Sequence, residues 1–342
     1  MFWQNAYAGT ISLPQASSAA VKIDNLHDFL WWISVFFLAI ITLATLYFVI
    51  KFHRSRKGRE TAYILGSHTL ELAWTVGPQV LMLAIFAWGY KDYLWMRAVP
   101  KDVYEINVVG RQWLWNFEYT NGRKTMNELY LPKGRNVKLI MTSEDVLHSF
   151  FLPNHRVKND VVPGMYSYVW FNPTMEGVHP VYCTEYCGTG HSDMLAKAYV
   201  LEPQDFDEWL ETGKSPGIAK LTNHMGHSLV KTAAVGAAAG GDGKPVSLAD
   251  KGKELVNSKG CFACHSTDGT RKIGPSFKGA FGRTEELADG KTITVDENYI
   301  RESLMDPNAK IVKGFTPSMP TFKGLLSDEE VNALVAYIKS LK

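Results

Sequence analysis

Charge is scarce in this sequence, and neither sign prevails. Of its 342 residues, 20% are Asp, Glu, Lys or Arg, and the formal net charge is +2. Nucleic-acid binding needs a strongly basic face, so the composition argues against it and no nucleic-acid partner is expected. Cysteine is scarcer still, with four residues in two pairs, Cys183/Cys187 and Cys261/Cys264. Two disulfides would account for them in an extracytoplasmic protein. Each pair, however, has a histidine close by, His191 and His265, and that favours ligation. The first 28 residues lack a basic stretch followed by an apolar core, so no ordinary cleavable signal peptide is expected.

Long apolar runs are abundant. Residues 29–50 (FLWWISVFFLAIITLATLYFVI) carry no charge over 22 positions. At about 1.5 Å per residue the run spans about 33 Å, enough to cross a hydrocarbon core. Its apolar residues surround the whole helix, which suits lipid better than one side of a soluble core. Residues 72–90 (LAWTVGPQVLMLAIFAWGY) form a second run, interrupted by Gly77, Pro78 and Gln79. A helix packed in a membrane bundle tolerates such an interruption. Between the runs, KFHRSRKGRE holds Lys51, Arg54, Arg56, Lys57 and Arg59 against Glu60. The positive-inside rule places this loop in the cytoplasm and both termini outside. The first helix is then expected to direct its own insertion.

Beyond Tyr90 the chain reads as soluble. Residues 103–119 and the runs NVKLIMTS, YSYVWFN and AKAYVLEP are rich in β-branched and aromatic residues between Pro, Gly and Asn breaks. They predict a β-sandwich or barrel over about 100–205. PQDFDEWLETG reads as a short helix. Residues 231–245 (KTAAVGAAAGGDGKP) are an Ala/Gly run that builds no core and reads as a flexible linker. The last hundred residues have helical patterning. The expected divisions are an N-terminal extracytoplasmic segment (1–28), a transmembrane hairpin (29–99), a β domain (100–215), a linker (216–247) and a helical domain (248–342).

The stretch CTEYCGTGHSDM (183–194) concentrates two thiols, an imidazole and a thioether, all soft or borderline ligands. Zinc accepts thiolates and imidazoles, but Met is a poor zinc ligand. A mononuclear blue-copper site uses a single Cys with two His and a weak Met. The extra thiolate makes sense if two coppers share two bridging sulfurs. A second imidazole is then needed, and VLHSFFLP supplies His148 at a strand end, 35 residues upstream of Cys183.

Together, VLHSFFLP and CTEYCGTGHSDM resemble the dinuclear CuA site of subunit II of cytochrome c oxidase, with the pattern C-x-E-x-C-x-x-x-H-x-x-M matched at every ligand position. The resemblance implies that Cys183 and Cys187 bridge the coppers and that His148 and His191 each cap one. It makes Met194 and the Glu185 carbonyl weak axial ligands, and the Glu185 side chain a candidate magnesium ligand at the interface with subunit I. GRQWLWNFEY resembles the family's aromatic stretch beside CuA, which implies electron entry at Trp113; packing is the alternative role for a tryptophan. LELAWTVGP resembles the start of the family's second helix, which maps a proton-channel glutamate onto Glu71. A merely solvated acid at the membrane boundary is the alternative. The sequence departs from the family at Val181, where Gly is frequent.

CFACH (261–265) is a C-x-x-C-H motif, which attaches heme c through the two thiols and uses His265 as an axial ligand. A high-potential carrier needs Met as the other axial ligand. Met305 sits in the helical YIRESLMDP, whereas Met319 sits in KGFTPSMPTF, a loop stiffened by Pro317 and Pro320 and similar to that of class I cytochromes c. Met319 is the expected ligand. Pro275 is expected to offer its carbonyl to the His265 ring.

The fold class implied is a multidomain membrane protein: a two-helix transmembrane hairpin, a cupredoxin-like β-sandwich and an all-α cytochrome c domain. The resemblance is to subunit II of a terminal respiratory oxidase with a fused cytochrome c domain, as in heme-copper oxidases of the caa type. Electrons are expected to enter at one covalent heme c, pass to CuA and reach heme in subunit I, where oxygen is reduced to water with proton pumping. Expected partners are subunit I, subunit III, membrane lipids, and cytochrome c or an upstream quinol-oxidising complex as donor. The expected location is the bacterial inner membrane, with both redox domains periplasmic. A CuA-bearing nitric oxide reductase subunit is the alternative enzyme. A free-standing membrane-anchored electron carrier, or a copper-delivery protein, is the alternative of another class.

Overall fold

The computed structural model describes residues 13–55, 63, 65–214, 221 and 247–342. The linker run 231–245 and the loop residues Arg56, Lys57, Arg59 and Glu60 lie outside the described residues. The chain forms two compact units, residues 19–99 and the remainder.

The smaller unit is a pair of helices, α1 (Ser18–Lys51) and α2 (His68–Arg97), both long and apolar enough to cross a membrane. α1 begins well before the apolar run that announces it. Trp32, Leu38, Ile41 and Phe48 all lie more than half exposed, an apolar surface suited to lipid. The helices run antiparallel. Near the start of α1, Lys22 lies 3.6 Å from Asp92, close to the end of α2, and Phe29 meets Trp88 with ring centroids 5.4 Å apart. Pro78 lies inside α2 without ending it, as membrane helices tolerate. Ser67 caps α2 by accepting the Leu70 N–H, and Glu71 occupies the first turn beside His68.

The larger unit opens with ten strands: β1 (Tyr104–Arg111), β2 (Leu114–Tyr119), β3 (Lys124–Met126), β4 (Glu128–Pro132), β5 (Val137–Ser143), β6 (His148–Leu152), β7 (Val157–Val161), β8 (Ser167–Phe171), β9 (Gly177–Cys183) and β10 (Leu195–Leu201). They make two five-stranded sheets, ordered β3-β2-β1-β5-β8 and β4-β10-β9-β6-β7. The strand-rich stretch 103–119 is therefore a hairpin, registering Ile106 with Tyr119 and Arg111 with Leu114. Alternation sets the faces: in β5, Val137, Leu139 and Met141 are buried while Lys138, Ile140 and Thr142 between them are half-exposed. Ile106, Phe117, Phe150 and Phe171 complete the interior, each such side chain contributing about 1.5–3 kcal/mol on burial. Helix α3 (Pro203–Thr212) closes one end, with Trp209 stacked on Tyr130 at 4.0 Å.

Residues before α1 also join this sandwich. The Ala16 N–H donates to the Asn154 carbonyl, the Thr174 N–H donates to the Ala16 carbonyl, and the Arg156 guanidinium holds the carbonyls of Leu13 and Pro14.

The C-terminal part carries α4 (Leu248–Ser258), α5 (Glu297–Met305) and α6 (Asp328–Ser340). Ser327 and Glu330 form the capping box that starts α6. Its Val331, Leu334, Val335 and Ile338 pack against Leu255 and Val256 of α4. One feature departs from an all-helical expectation: β11 (Thr284–Glu286) and β12 (Thr292–Thr294) pair as a short hairpin between α4 and α5.

Candidate metal centre and heme cleft

His148 opens β6, and Cys183 closes β9 beside it; Phe150 pairs with Cys183 across the two strands. The loop after Cys183 turns back to deliver Cys187, His191 and Met194 before β10 begins. The two sulfurs lie 3.8 Å apart, and all four cysteines of the chain are free thiols. His148 Nδ1 faces Cys183 Sγ at 4.0 Å, and His191 Nδ1 faces Cys187 Sγ at 3.5 Å. Met194 Sδ lies 3.7 Å from Cys187 Sγ, and the Glu185 carbonyl accepts from Cys183 Sγ at 3.3 Å. His148, Cys183 and Cys187 form a buried ligand cluster. His191 reaches it from the Cys187 side and stays half-exposed. Each sulfur thus has its own imidazole, an arrangement that suits two metals better than one.

The surroundings prepare these ligands. Asp145 accepts from His148 Nε2 at 2.8 Å and from the backbone N–H groups of Val146 and Gln112. The contact fixes the proton on Nε2 and leaves Nδ1 aimed at the sulfurs. Burial opposes ionisation of Asp145, but those donors outweigh it and hold the carboxyl below its usual range. The hydrogen bond from Cys187 holds the Cys183 thiol below its usual range, and the same contact pushes Cys187 up.

Trp113 packs against the ligand loop and is 8% exposed. A Cβ added at Gly190 would fall 2.6 Å from its ring, so only glycine lets the loop lie this close. Gly190→Ala is expected to cost about 1–3 kcal/mol through overpacking. Denaturant unfolding checks this, and an unchanged midpoint would mean that the loop yields. The indole N–H of Trp113 is buried with no hydrogen-bond partner among the described residues, whereas a buried tryptophan usually finds one. Beside it, Gln112 Nε2 donates to the Cys187 carbonyl at 2.6 Å.

A second constellation lies in the helical part. Cys261, Cys264, His265 and Met319 line one open cleft. His265 Nδ1–H donates to the Pro275 carbonyl at 2.7 Å, and the ring stacks on Phe277 at 4.5 Å. Burial keeps the imidazole below its ordinary pKa, which favours the neutral ring with a free lone pair on Nε2. Burial pushes the Cys261 thiol up to about 12, keeping it protonated. Met305 is not among the residues of this cleft; its carbonyl accepts the Thr321 hydroxyl at 2.7 Å.

Three family models divide this chain between them. Cytochrome c oxidase subunit II, transmembrane domain, matches residues 6–91, and the periplasmic domain of the same subunit matches residues 123–198. Cytochrome c matches residues 249–342. The alternative cytochrome c oxidase subunit 2 of Bradyrhizobium diazoefficiens is 32% identical over 224 residues, covering 56% of this chain and 80% of that protein. The chain belongs to the cytochrome c oxidase subunit II family. Cytochrome c oxidase subunit 2 of Alkalihalophilus pseudofirmus is 29% identical over 317 residues, covering 89% of this chain and 83% of its own length. Among solved structures, the periplasmic domain of the Bradyrhizobium japonicum oxidase subunit II is 30% identical, with a TM-score of 0.33. It covers 34% of this chain and 96% of its own. The subunit II fold here is a membrane hairpin followed by a β-sandwich, and a cytochrome c domain follows.

The structure gathers His148, Cys183, Glu185, Cys187, His191 and Met194 at one end of the sandwich, with Trp113 beside them. It gathers Cys261, Cys264, His265 and Met319 in the cleft. Glu71 lies in the other compact unit. Val181 is fully buried within β9. Sequence reasoning missed Asp145 and Gln112. A carboxylate three positions before a ligand histidine is a signal for Asp145; Gln112 has none.

Proposed function

We propose that this chain is the electron-entry subunit of a terminal oxidase, relaying electrons from an external donor to subunit I. The single observation that carries the reading is the pair of thiols with an imidazole at each end. When bound, the dinuclear copper spreads one electron over two metals and heme c supplies a second one-electron relay. Cys183, Cys187, His148, His191 and Met194 are the residues that hold copper, with the Glu185 carbonyl beside them. Cys261 and Cys264 would hold heme c through their sulfurs, and His265 and Met319 would hold its iron. Asp145 fixes the His148 imidazole and Pro275 that of His265, which keeps reorganisation small. The Glu185 carboxylate is a magnesium ligand in this reading, and Glu71 starts a proton path.

Oxygen reduction belongs to subunit I, together with proton pumping. The hairpin sits in the bacterial inner membrane, with both redox domains on the periplasmic side, and subunit III completes the complex. A diffusing cytochrome c, or an upstream quinol-oxidising complex, is the donor. Substrate tests on the purified complex decide the chemistry: oxygen uptake supports this reading, and nitric oxide uptake without oxygen uptake contradicts it.

Trp113 touches both the ligand loop and the heme cleft. Trp113→Ala is expected to slow electron entry into copper far more than it lowers copper content. Rapid-mixing reduction kinetics beside metal analysis check this. Equal losses would reduce Trp113 to a packing residue.

A further inference from the structure

The heme domain is not merely strung behind the sandwich. Leu114 of β2 and Met126 of β3 are 5% and 2% exposed, and they bury in the same apolar cluster as Leu255, Val256 and Leu334 of the heme domain. Lys259, just after α4, has a side chain only 9% exposed, and its Nζ lies 3.4 Å from the Glu128 carboxylate, itself 22% exposed. Gly260 follows with φ +74°, and a Cβ there would fall 2.8 Å from Asn127 Nδ2. A few residues away, Lys197 of the sandwich and Glu254 of α4 act on each other as opposite charges. Gln112, Trp113 and Leu114 line the cleft that holds Cys261, His265 and Met319.

We propose that the face of the sandwich formed by Leu114, Met126 and Glu128 is a built docking site for the chain's own heme domain, latched by Lys259, and that it fixes the heme cleft against Trp113. The docking deepens the electron-entry reading and rests on it for its purpose. An encounter set by a tether alone needs no such seam. A lysine this deeply buried is tolerable only with its carboxylate, because removing one partner strands the other charge away from water. An external donor must then use a face of the heme domain away from this seam.

The test uses the full-length holoprotein and three variants: Glu128→Lys, Lys259→Glu and the two together. Hydrogen exchange of the 114–126 hairpin and of α4 reports docking without reference to electron transfer. Either single reversal is expected to speed exchange there about tenfold or more, and the double exchange of charges is expected to restore protection. Protection unchanged in both single variants overturns the latch. A single variant that loses protection throughout the sandwich, with no recovery in the double variant, also overturns it, because Glu128 then serves the fold and not the seam. Flash-induced heme-to-copper transfer, measured on the same samples, is expected to slow only where protection is lost. Lost protection with unchanged transfer leaves the latch standing and contradicts the electron-entry reading instead.

Discussion

Cys187→Ser is expected to abolish the mixed-valence copper signal and stop turnover while leaving the heme c spectrum in place. Cys187 stands at the centre of the ligand set. Its sulfur lies within 4 Å of Cys183, His191 and Met194 at once. A serine hydroxyl is a hard, weakly acidic donor and does not replace a thiolate toward copper. The substitution removes the one side chain that links the His148–Cys183 half of the site to the His191–Met194 half. In this reading heme attaches at Cys261 and Cys264, far along the chain from Cys187, so the heme spectrum serves as an internal control for folding. Electron paramagnetic resonance and copper analysis give the readout. An unchanged copper signal would falsify the ligand assignment.

Met319→Ala is expected to remove the sulfur-to-iron band of the oxidised heme, whereas Met305→Ala is expected to keep it. The two methionines differ in placement more than in exposure. Met319 follows Pro317 and Ser318 on a loop that borders the same cleft as His265. Met305 ends α5, half-buried against the apolar cluster of the heme domain. Losing Met305 costs packing, about 2–5 kcal/mol for a full truncation in a core and less at a half-buried site. Losing Met319 costs an iron ligand and lowers the heme potential, because thioether ligation raises it. If Met305→Ala loses the band and Met319→Ala keeps it, the axial assignment is reversed.

The residues that gather at the candidate site were legible in the sequence because metal chemistry demands particular residue types at fixed spacing. CTEYCGTGHSDM and CFACH carry those demands within single loops. His148 was legible only through its own short stretch, since nothing in a sequence pairs β6 with β9. Strands β3, β4 and β7 escaped reading because they are short and partly polar, so alternation is too brief to register. The run 103–119 looked continuous because β1 is rich in β-branched residues, β2 is rich in aromatics, and the turn between them carries neither Gly nor Pro. The seam between sandwich and heme domain was illegible for a different reason. Leu114, Met126, Glu128 and Lys259 look like ordinary strand and helix residues, and only their burial against one another marks them. The Ala/Gly run that suggested a tether says how far the heme domain can reach, and nothing about where it rests.

Metal analysis of the purified full-length protein, read together with its electron paramagnetic resonance spectrum, tests the central claim most directly. The account predicts twice as much copper as iron, with one unpaired electron shared equally by two coppers in the oxidised protein. Copper equal to iron, with hyperfine structure from a single nucleus, would contradict it.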